Sequence, residues 1–412
     1  MTIPFQTVDK APVGAPESGR AWTCSNCASA APKTVLIRSG RENGQGAMVS
    51  LPSTVGTALD QCTGERLLCP DCGVIEAVIE PAAGLRKHLA ELAQAGGGAK
   101  NEPVVIEGKA HGLRSLVEPR LLDHVRGLGK DKGAFLDIAC GEGHMTRRIA
   151  HTFQDWQSIG IDTSKSLTED WPPIGGRPGF LRAAFDPTLF AGRSFDVIAA
   201  HGVFTRSAPL LELQRIRSIC ADGALLSVEL PFLDGDIAAP YIWDHIYLLA
   251  RARFLAFLRQ AGFQVLESHD NVVGWHIIAR AVEPGAHQGP SAEDLAEARA
   301  VFEAHVAWWK DVASRAEEAK TKAQAEGKAI AVHGTGPMSA ILCERVAGLK
   351  PAFFIDDGAQ GTQWRGRPVL TVAEAKDRPA TVLLAARPAD TDYYRTKLTA
   401  AGLTVATLNT GG

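Results

Sequence analysis

The chain has 412 residues and a formal net charge of −3, with 43 Lys and Arg against 46 Asp and Glu. The length exceeds one ordinary domain and predicts about two to four of them. No block of basic residues marks a nucleic-acid interface, no apolar run could span a bilayer, and the N-terminus lacks the layout of a signal peptide, so we expect a soluble, cytoplasmic protein.

Five of the eight cysteines lie in the first quarter of the chain. Four of them form two Cys-x-x-Cys pairs, Cys24 with Cys27 and Cys69 with Cys72. In a reducing compartment such pairs favour metal ligation over disulfides, and four thiolates complete a closed tetrahedral zinc site. A redox role is the alternative for either pair alone. We interpret Cys62 as an unligated core thiol, and a site that uses it in place of Cys69 is the weaker alternative.

A strand, a glycine turn and a helix follow one another in the middle of the chain. The apolar run around Asp137 leads into Gly141-Glu142-Gly143 and then into residues with helical character. Glycine allows a sharp turn and a close approach to a ligand, and the helix start offers unpaired backbone N–H groups. The next strand ends at Asp162, which can accept hydrogen bonds from both ribose hydroxyls of a nucleoside. The alternative is an α/β sheet with a tight turn and no nucleotide.

The turn does not fit a dinucleotide site, because His144, Met145 and Thr146 supply no third glycine. The Asp-x-x-x-Gly-x-Gly pattern resembles motif I of class I S-adenosylmethionine (SAM) methyltransferases. In that family the loop passes the amino-acid end of SAM, the acid after the second strand holds the ribose, and an acidic residue before the fourth strand contacts the adenine. The resemblance implies a cofactor site made of Asp137, Ala139, Gly141, Gly143, Asp162, Asp186 and His201.

A long helical stretch follows the core. Ser291 with Asp294 makes a capped helix start. Trp308 and Trp309 are the large apolar residues of this stretch, and we interpret them as packing between domains rather than as a stacking site for a base.

A second α/β pattern occupies the C-terminal part. The pattern matches a dinucleotide-binding fingerprint in part, with Gly334, Gly336 and Asp356 at the expected spacing. Ser339 replaces the third glycine of that fingerprint. We therefore favour a Rossmann-like scaffold that packs on the core or helps to hold substrate over an NAD site.

The order of these parts resembles the three-domain sugar C-methyltransferases that act on nucleotide-linked deoxysugars. The resemblance is most specific in Cys69-Pro-Asp-Cys72-Gly73 and in the segment from Tyr241 to Tyr247. It implies that Asp244 and His245 lie in the active site, with His245 as the general base and Tyr241 close by. Ile242 stands where the family has tyrosine, and Arg206 replaces an active-site histidine of the family. Arginine cannot act as a base near neutral pH, but it can bind a phosphate or carboxylate.

The resemblance implies that His245 removes a proton from the carbon next to a keto group and that the enolate takes the methyl group of SAM. The alternative is an O- or N-methyltransferase that acts on another small molecule. A different class of function is a non-catalytic SAM-binding protein that contacts a partner, and a third is an NAD-dependent enzyme. We expect SAM and a structural Zn²⁺ as cofactors, and a nucleotide-sugar rather than nucleic acid or membrane as partner. No pattern indicates the oligomeric state.

The predicted fold class is α/β, with a class I SAM methyltransferase core between an N-terminal zinc-binding domain and a C-terminal Rossmann-like α/β domain. The predicted segments are a disordered N-terminus at 1–22, the zinc-binding domain at 23–81, a helical linker at 82–132, the methyltransferase core at 133–282, a long linking helix at 291–328 and the Rossmann-like domain at 329–412.

Overall fold

The structure is a computed structural model. It describes residues 23–31, 33–39, 62–94, 103–106, 109–165, 167, 177–243, 245–271, 274–286, 289–359 and 361–409. The predictions for residues 1–22 and for Asp244 lie outside these ranges.

Strands and helices alternate along most of the described chain. The strands are β1 Thr34–Ser39, β2 Thr63–Leu68, β3 Ile75–Glu80, β4 Pro103–Ile106, β5 Lys109–Gly112, β6 Ala134–Ile138, β7 Gln157–Asp162, β8 Gly179–Arg182, β9 Phe195–His201, β10 Cys220–Leu230, β11 Tyr247–Leu248, β12 Phe263–Asn271, β13 Gly274–Ala281, β14 Ala329–His333, β15 Phe353–Ile355, β16 Gln363–Trp364, β17 Arg367–Leu370, β18 Ala380–Leu384 and β19 Thr404–Thr407. The helices are α1 Ala82–Gln94, α2 Leu113–Gly127, α3 His144–Thr152, α4 Pro209–Arg217, α5 Arg251–Gln260, α6 Ala292–Ala325, α7 Pro337–Arg345, α8 Val372–Ala375 and α9 Pro388–Ala400.

The central sheet has seven strands in the order β12-β13-β10-β9-β6-β7-β8. The strands from β10 to β8 in this order run parallel, whereas β13 is antiparallel to both of its neighbours. Strand β13 lies one strand inside the edge of the sheet. Helices α2 and α3 cover one face of this sheet, and α4 and α5 cover the other. Burial on both faces explains the near-continuous apolar runs of the parallel strands.

The strand order reverses between β6 and β9. The chain builds outward from β6 to β7 and β8, and then returns to β9 on the other side of β6. Ligands of open α/β sheets bind in the crevice outside the carboxyl ends of the strands at such a point. The predicted glycine turn lies directly after β6, at this crevice.

The N-terminal sheet has the order β1-β2-β3-β11, and its last strand comes from the methyltransferase core range of the sequence. Tyr247 pairs with Glu76 in this sheet. The fully buried guanidinium of Arg66 donates hydrogen bonds to the carbonyls of Ile242 (2.5 Å) and His245 (2.6 Å). A buried charge requires such partners. The segment that follows β10 is thereby fastened to the N-terminal domain.

Helix α6 has 34 residues and links the core to the last domain. The predicted cap is confirmed, because the side chains of Ser291 and Asp294 form a reciprocal capping box. Trp309 is fully buried, donates its indole N–H to the carbonyl of Ile237 (2.8 Å), and contacts the Tyr241 ring edge-on. Its interpretation as packing between domains is confirmed.

The C-terminal domain is a second α/β unit with the strand order β16-β17-β15-β14-β18-β19. Asp356, at the end of β15, accepts hydrogen bonds from the backbone N–H (3.0 Å) and hydroxyl (2.7 Å) of Thr335. These bonds close the loop after β14. Within the described ranges, no helix combines the length and the apolar character that crossing a membrane requires.

Candidate active site and metal centre

The loop after β6 reverses the chain through alternating left-handed residues. Ala139, Gly141 and Gly143 have φ values of +58°, +56° and +74°. For alanine this conformation costs about 1 kcal/mol, whereas glycine adopts it readily. Helix α3 then begins at His144 without a capping side chain. Its first backbone N–H groups are the kind of donors that bind the charged end of a ligand.

Phe180 of β8 packs closely against this loop. A Cβ atom on Gly143 would lie 2.3 Å from the Phe180 ring. A Cβ atom on Gly160 would lie 2.8 Å from both the sulfur of Cys140 and the hydroxyl of Thr146. Both positions therefore require glycine. The sequence pattern indicated Gly143 but not Gly160, because the need for glycine at position 160 arises only from the packing of β8 and α3 around it.

The two acids of the predicted cofactor site have different environments. Asp162 is half-buried and accepts hydrogen bonds from the backbone N–H groups of Gly141 and Ser164, both at 2.7 Å. Asp137 is buried under the loop and accepts a hydrogen bond from the Thr146 hydroxyl at 2.8 Å. Each carboxylate oxygen has a second lone pair, so Asp162 retains acceptor capacity for a ribose. Asp137 instead holds α3 against β6.

Asp186 lies on the exposed surface after β8. It accepts hydrogen bonds from the hydroxyl (2.7 Å) and the backbone N–H (2.9 Å) of Thr188 and caps the short 3-10 helix Pro187–Phe190. These hydrogen bonds hold the pKa of the Asp186 carboxyl below its usual value. The carboxylate is therefore ionised and already has two donors.

His201 ends β9 beside the glycine loop and belongs to a polar group that the sequence analysis did not identify. The hydroxyl of Ser227 lies 2.9 Å from Nε2 of His201 and 2.9 Å from Nε2 of His276. Burial lowers the pKa of His276 to about 3, so this ring is neutral. Glu229 is the next polar side chain of β10, and burial raises its pKa to about 7. The only sequence signal was polar residues interrupting otherwise apolar strands.

The predicted catalytic residues occupy two different places. The backbone N–H of Tyr247 donates to the carbonyl of Thr205 (3.0 Å), which brings the segment carrying buried His245 beside the turn after β9. Arg206 is exposed in that turn. Tyr241 instead faces α6 and the C-terminal domain, where the guanidinium of Arg345 lies 4.9 Å from the centre of its ring.

The four predicted cysteine ligands form one group. Their sulfur atoms all lie within 4.8 Å of one another, with Cys24 and Cys72 at 3.7 Å and Cys27 and Cys69 at 3.8 Å. Sulfurs around a tetrahedral zinc ion, with Zn–S distances of about 2.3 Å, are about 3.8 Å apart. The group therefore has the chemistry and spacing of a metal site. Cys62 lies in the hydrophobic core and is not a member of it.

The cysteine group is joined to the core through the side chains around it. Arg253 of α5 donates a hydrogen bond to the carbonyl of Cys72 (3.2 Å). The Ser25 hydroxyl donates to Glu76 (2.6 Å) and lies 2.7 Å from the hydroxyl of Tyr247. These hydrogen bonds connect the four-cysteine group to the segment that carries His245.

We expect Asp162→Ala to weaken SAM binding by about 10- to 100-fold, because two loop N–H groups and the ligand lose their hydrogen-bond acceptor. Leaving such a group without its partner costs about 1–3 kcal/mol of binding free energy. Asp162→Asn keeps one acceptor oxygen and should lose less. Isothermal titration calorimetry with SAM measures both. Asp123→Ala is the surface control, because Asp123 is an exposed acid of α2 outside the predicted cofactor site. A loss in that variant equal to the loss in Asp162→Ala would contradict the role assigned to Asp162.

Comparison with known proteins agrees with this geometry. Residues 136–227 match the family model described as a methyltransferase domain. No curated protein sequence matches the chain. The match over residues 136–227 shows that the chain carries a methyltransferase domain, and the predicted α/β fold class is confirmed.

Solved structures resemble parts of the chain at low identity. An O-methyltransferase family protein from Burkholderia thailandensis is 16% identical with a TM-score of 0.31, over 41% of this chain and 57% of that protein. The chain thus spans less than two thirds of that relative. The plantazolicin methyltransferase BpumL, solved with SAH and a monoazolic desmethylPZN analog, is 15% identical with a TM-score of 0.33, over 41% of this chain and 83% of its own. The [4+2]-cyclase SpnF is 17% identical with a TM-score of 0.34, over 49% of this chain and 92% of that protein.

Proposed function

We propose that this methyltransferase-domain protein transfers the methyl group of SAM to a carbon atom of a nucleotide-linked keto-deoxysugar. The observation that carries the proposal is the arrangement at the strand-order reversal. A glycine loop tied to Asp162 lies next to the carboxyl ends of β9 and β10, where His201 and Glu229 stand. A methyl donor and a set of titratable side chains would therefore meet in one crevice.

The order of the domains supports a nucleotide-linked sugar as the acceptor. A four-cysteine domain, a methyltransferase core, a 34-residue helix and a second Rossmann-like sheet follow one another along the chain. This is the order that the sugar C-methyltransferases have. A second nucleotide-type fold beside the core is suited to hold the nucleotide part of the acceptor.

His245 is the proposed general base. Its backbone carbonyl is fixed by Arg66, and its segment is held to the turn after β9 by Tyr247. A fixed imidazole can take the proton from the carbon next to the keto group near neutral pH. The methyl donor supplies an electrophilic carbon for the resulting enolate. The exposed guanidinium of Arg206 is suited to bind a phosphate of the acceptor.

Zn²⁺ is the metal that we propose for the cysteine group. Four thiolates in tetrahedral spacing form a closed structural site, without an open position for a substrate. The metal therefore holds the fold and takes no part in the transfer.

The test uses SAM labelled with ¹³C in its methyl group and a panel of nucleotide-linked keto-deoxysugars. We expect the product's NMR spectrum to show the label bonded to a ring carbon, and His245→Gln to abolish turnover while SAM binding remains. Label on oxygen or nitrogen would replace C-methylation with the O- or N-methyltransferase alternative. SAM binding without turnover on any acceptor would favour a non-catalytic SAM-binding protein.

A further inference from the structure

Four titratable side chains form a row across four adjacent strands of the central sheet. Strand pairing places His269 opposite His276, His276 opposite Glu229, and Glu229 beside His201. Residues paired in this way project from the same face of a sheet, with Cβ atoms about 5 Å apart. The row therefore runs along the crevice end of the sheet, towards the glycine loop after β6.

Glu229 occupies the centre of this row. Its side chain is half-buried and makes no hydrogen bond or ion pair with any residue that the structure describes. Two strand spacings of about 4.8 Å separate β10 from β6, so Glu229 stands roughly 10 Å from the strand that carries the donor loop. Strand β9, which ends at His201, lies between Glu229 and that loop.

The groups around Glu229 favour its neutral form. His276 is neutral and 2% exposed, and its Nδ1 has no hydrogen-bond partner among the described residues. Glu267, which accepts from Arg120 (3.1 Å), contacts His269 at the far end of the row. Burial raises the pKa of Glu229 to about 7. A neutral carboxyl group has an O–H to donate.

We propose that Glu229, in its protonated form, donates a hydrogen bond to the keto oxygen of the acceptor as that oxygen becomes negative. This role rests on the proposed C-methylation. His245 takes the proton from the α-carbon, the C–H pair becomes a C=C bond, and the carbonyl pair moves to the oxygen that Glu229 contacts. When the carbon bonds to the methyl group, the oxygen pair re-forms C=O and the C–S pair remains on sulfur. The proton on His245 passes to solvent, and Glu229 keeps its own proton.

The experiment compares Glu229→Ala and Glu229→Gln with the unchanged enzyme, using the keto-sugar panel. Loss of a donor to a developing oxyanion lowers kcat by about 100- to 1000-fold, which is expected for Ala. Gln keeps an N–H donor and should retain at least about tenfold more activity than Ala. Glu212→Gln is the matched control, because Glu212 is also a buried glutamate with a raised pKa but lies on α4. It should leave kcat unchanged.

The pH profile separates a donor from a base. If Glu229 donates, kcat of the unchanged enzyme falls as pH rises through about 7, and the Gln variant lacks this fall. A fall in kcat above that pH that persists in Glu229→Gln, with activity lost equally in Gln and Ala, would overturn the donor role. So would an Ala variant as active as the unchanged enzyme.

Infrared spectroscopy tests the protonation state of Glu229 independently of methyl transfer. On the acid side of its pKa, the unchanged protein should show a protonated-carboxyl band that Glu229→Gln lacks. Absence of that difference overturns the protonated state of Glu229. Failure of the unchanged enzyme to methylate any keto-sugar, with the band present, instead overturns the proposed function and the donor role that rests on it.

Discussion

Gly143→Ala is expected to abolish useful SAM binding. The new methyl group would meet the Phe180 ring at 2.3 Å, on a residue whose φ is +74°. Strain of about 1 kcal/mol from the left-handed backbone and about 1–3 kcal/mol from overpacking add to about 2–4 kcal/mol, which corresponds to roughly 30- to 700-fold in affinity. Isothermal titration calorimetry with SAM measures this loss.

Two variants separate the steric effect from the backbone effect. Gly129 has a similar φ of +63°, but a Cβ atom there would meet no atom within 4 Å. Gly129→Ala should therefore cost about 1 kcal/mol of stability and leave SAM affinity unchanged. Gly143→Ala combined with Phe180→Ala should bind SAM more tightly than Gly143→Ala alone. Unchanged SAM affinity in Gly143→Ala would show that the loop does not contact the donor.

Cys69→Ser is expected to remove the bound zinc and most of the methyl-transfer activity while SAM binding remains. Structural zinc contributes about 10–16 kcal/mol of apparent binding energy to folding in small domains, so the N-terminal domain should loosen without it. The segment that carries His245 is fastened to that domain by Arg66, by the Ser25–Tyr247 contact and by β11. Misplacement of a catalytic group by about 1 Å costs about 100-fold in rate.

Metal content by mass spectrometry, SAM affinity and turnover are measured on the same preparation. Cys62→Ser is the matched control, because Cys62 is also buried but lies outside the four-cysteine group. It should keep one zinc per chain. Unchanged zinc in Cys69→Ser would refute the metal site, and loss of SAM affinity together with zinc would refute the separation of the donor site from the N-terminal domain.

The cofactor half of the site could be predicted from the sequence because its determinants are local. The glycine turn, its flanking strand and the acid at the end of the next strand lie within about thirty residues of one another, and each residue type has one strong conformational or chemical reason. The two Cys-x-x-Cys pairs were equally informative, since two thiolates at this spacing can bind one metal ion. The cap of α6 could also be predicted, because Ser291 and Asp294 lie only three residues apart.

The proposed acceptor half of the site depends on contacts between distant parts of the chain. His201, Glu229, His276 and His269 lie on four strands, and only the register of β9, β10, β13 and β12 makes them neighbours. Tyr241 lies close to His245 in the sequence, yet the two have different surroundings, because a short 3-10 helix and the packing of Trp309 direct Tyr241 towards the C-terminal domain.

The sequence by itself determined the fold class, the glycine loop and the grouping of four cysteines, because backbone conformation and metal chemistry constrain residue types over short spans. Tertiary structure alone decided that β11 joins the N-terminal sheet, that Gly160 must lack a side chain, and that Glu229 stands among histidines in a half-buried row. Those features follow from strand register and burial, which depend on contacts between residues far apart in the sequence. Burial, for example, raises the pKa of Glu229, and the residue type alone does not reveal this shift.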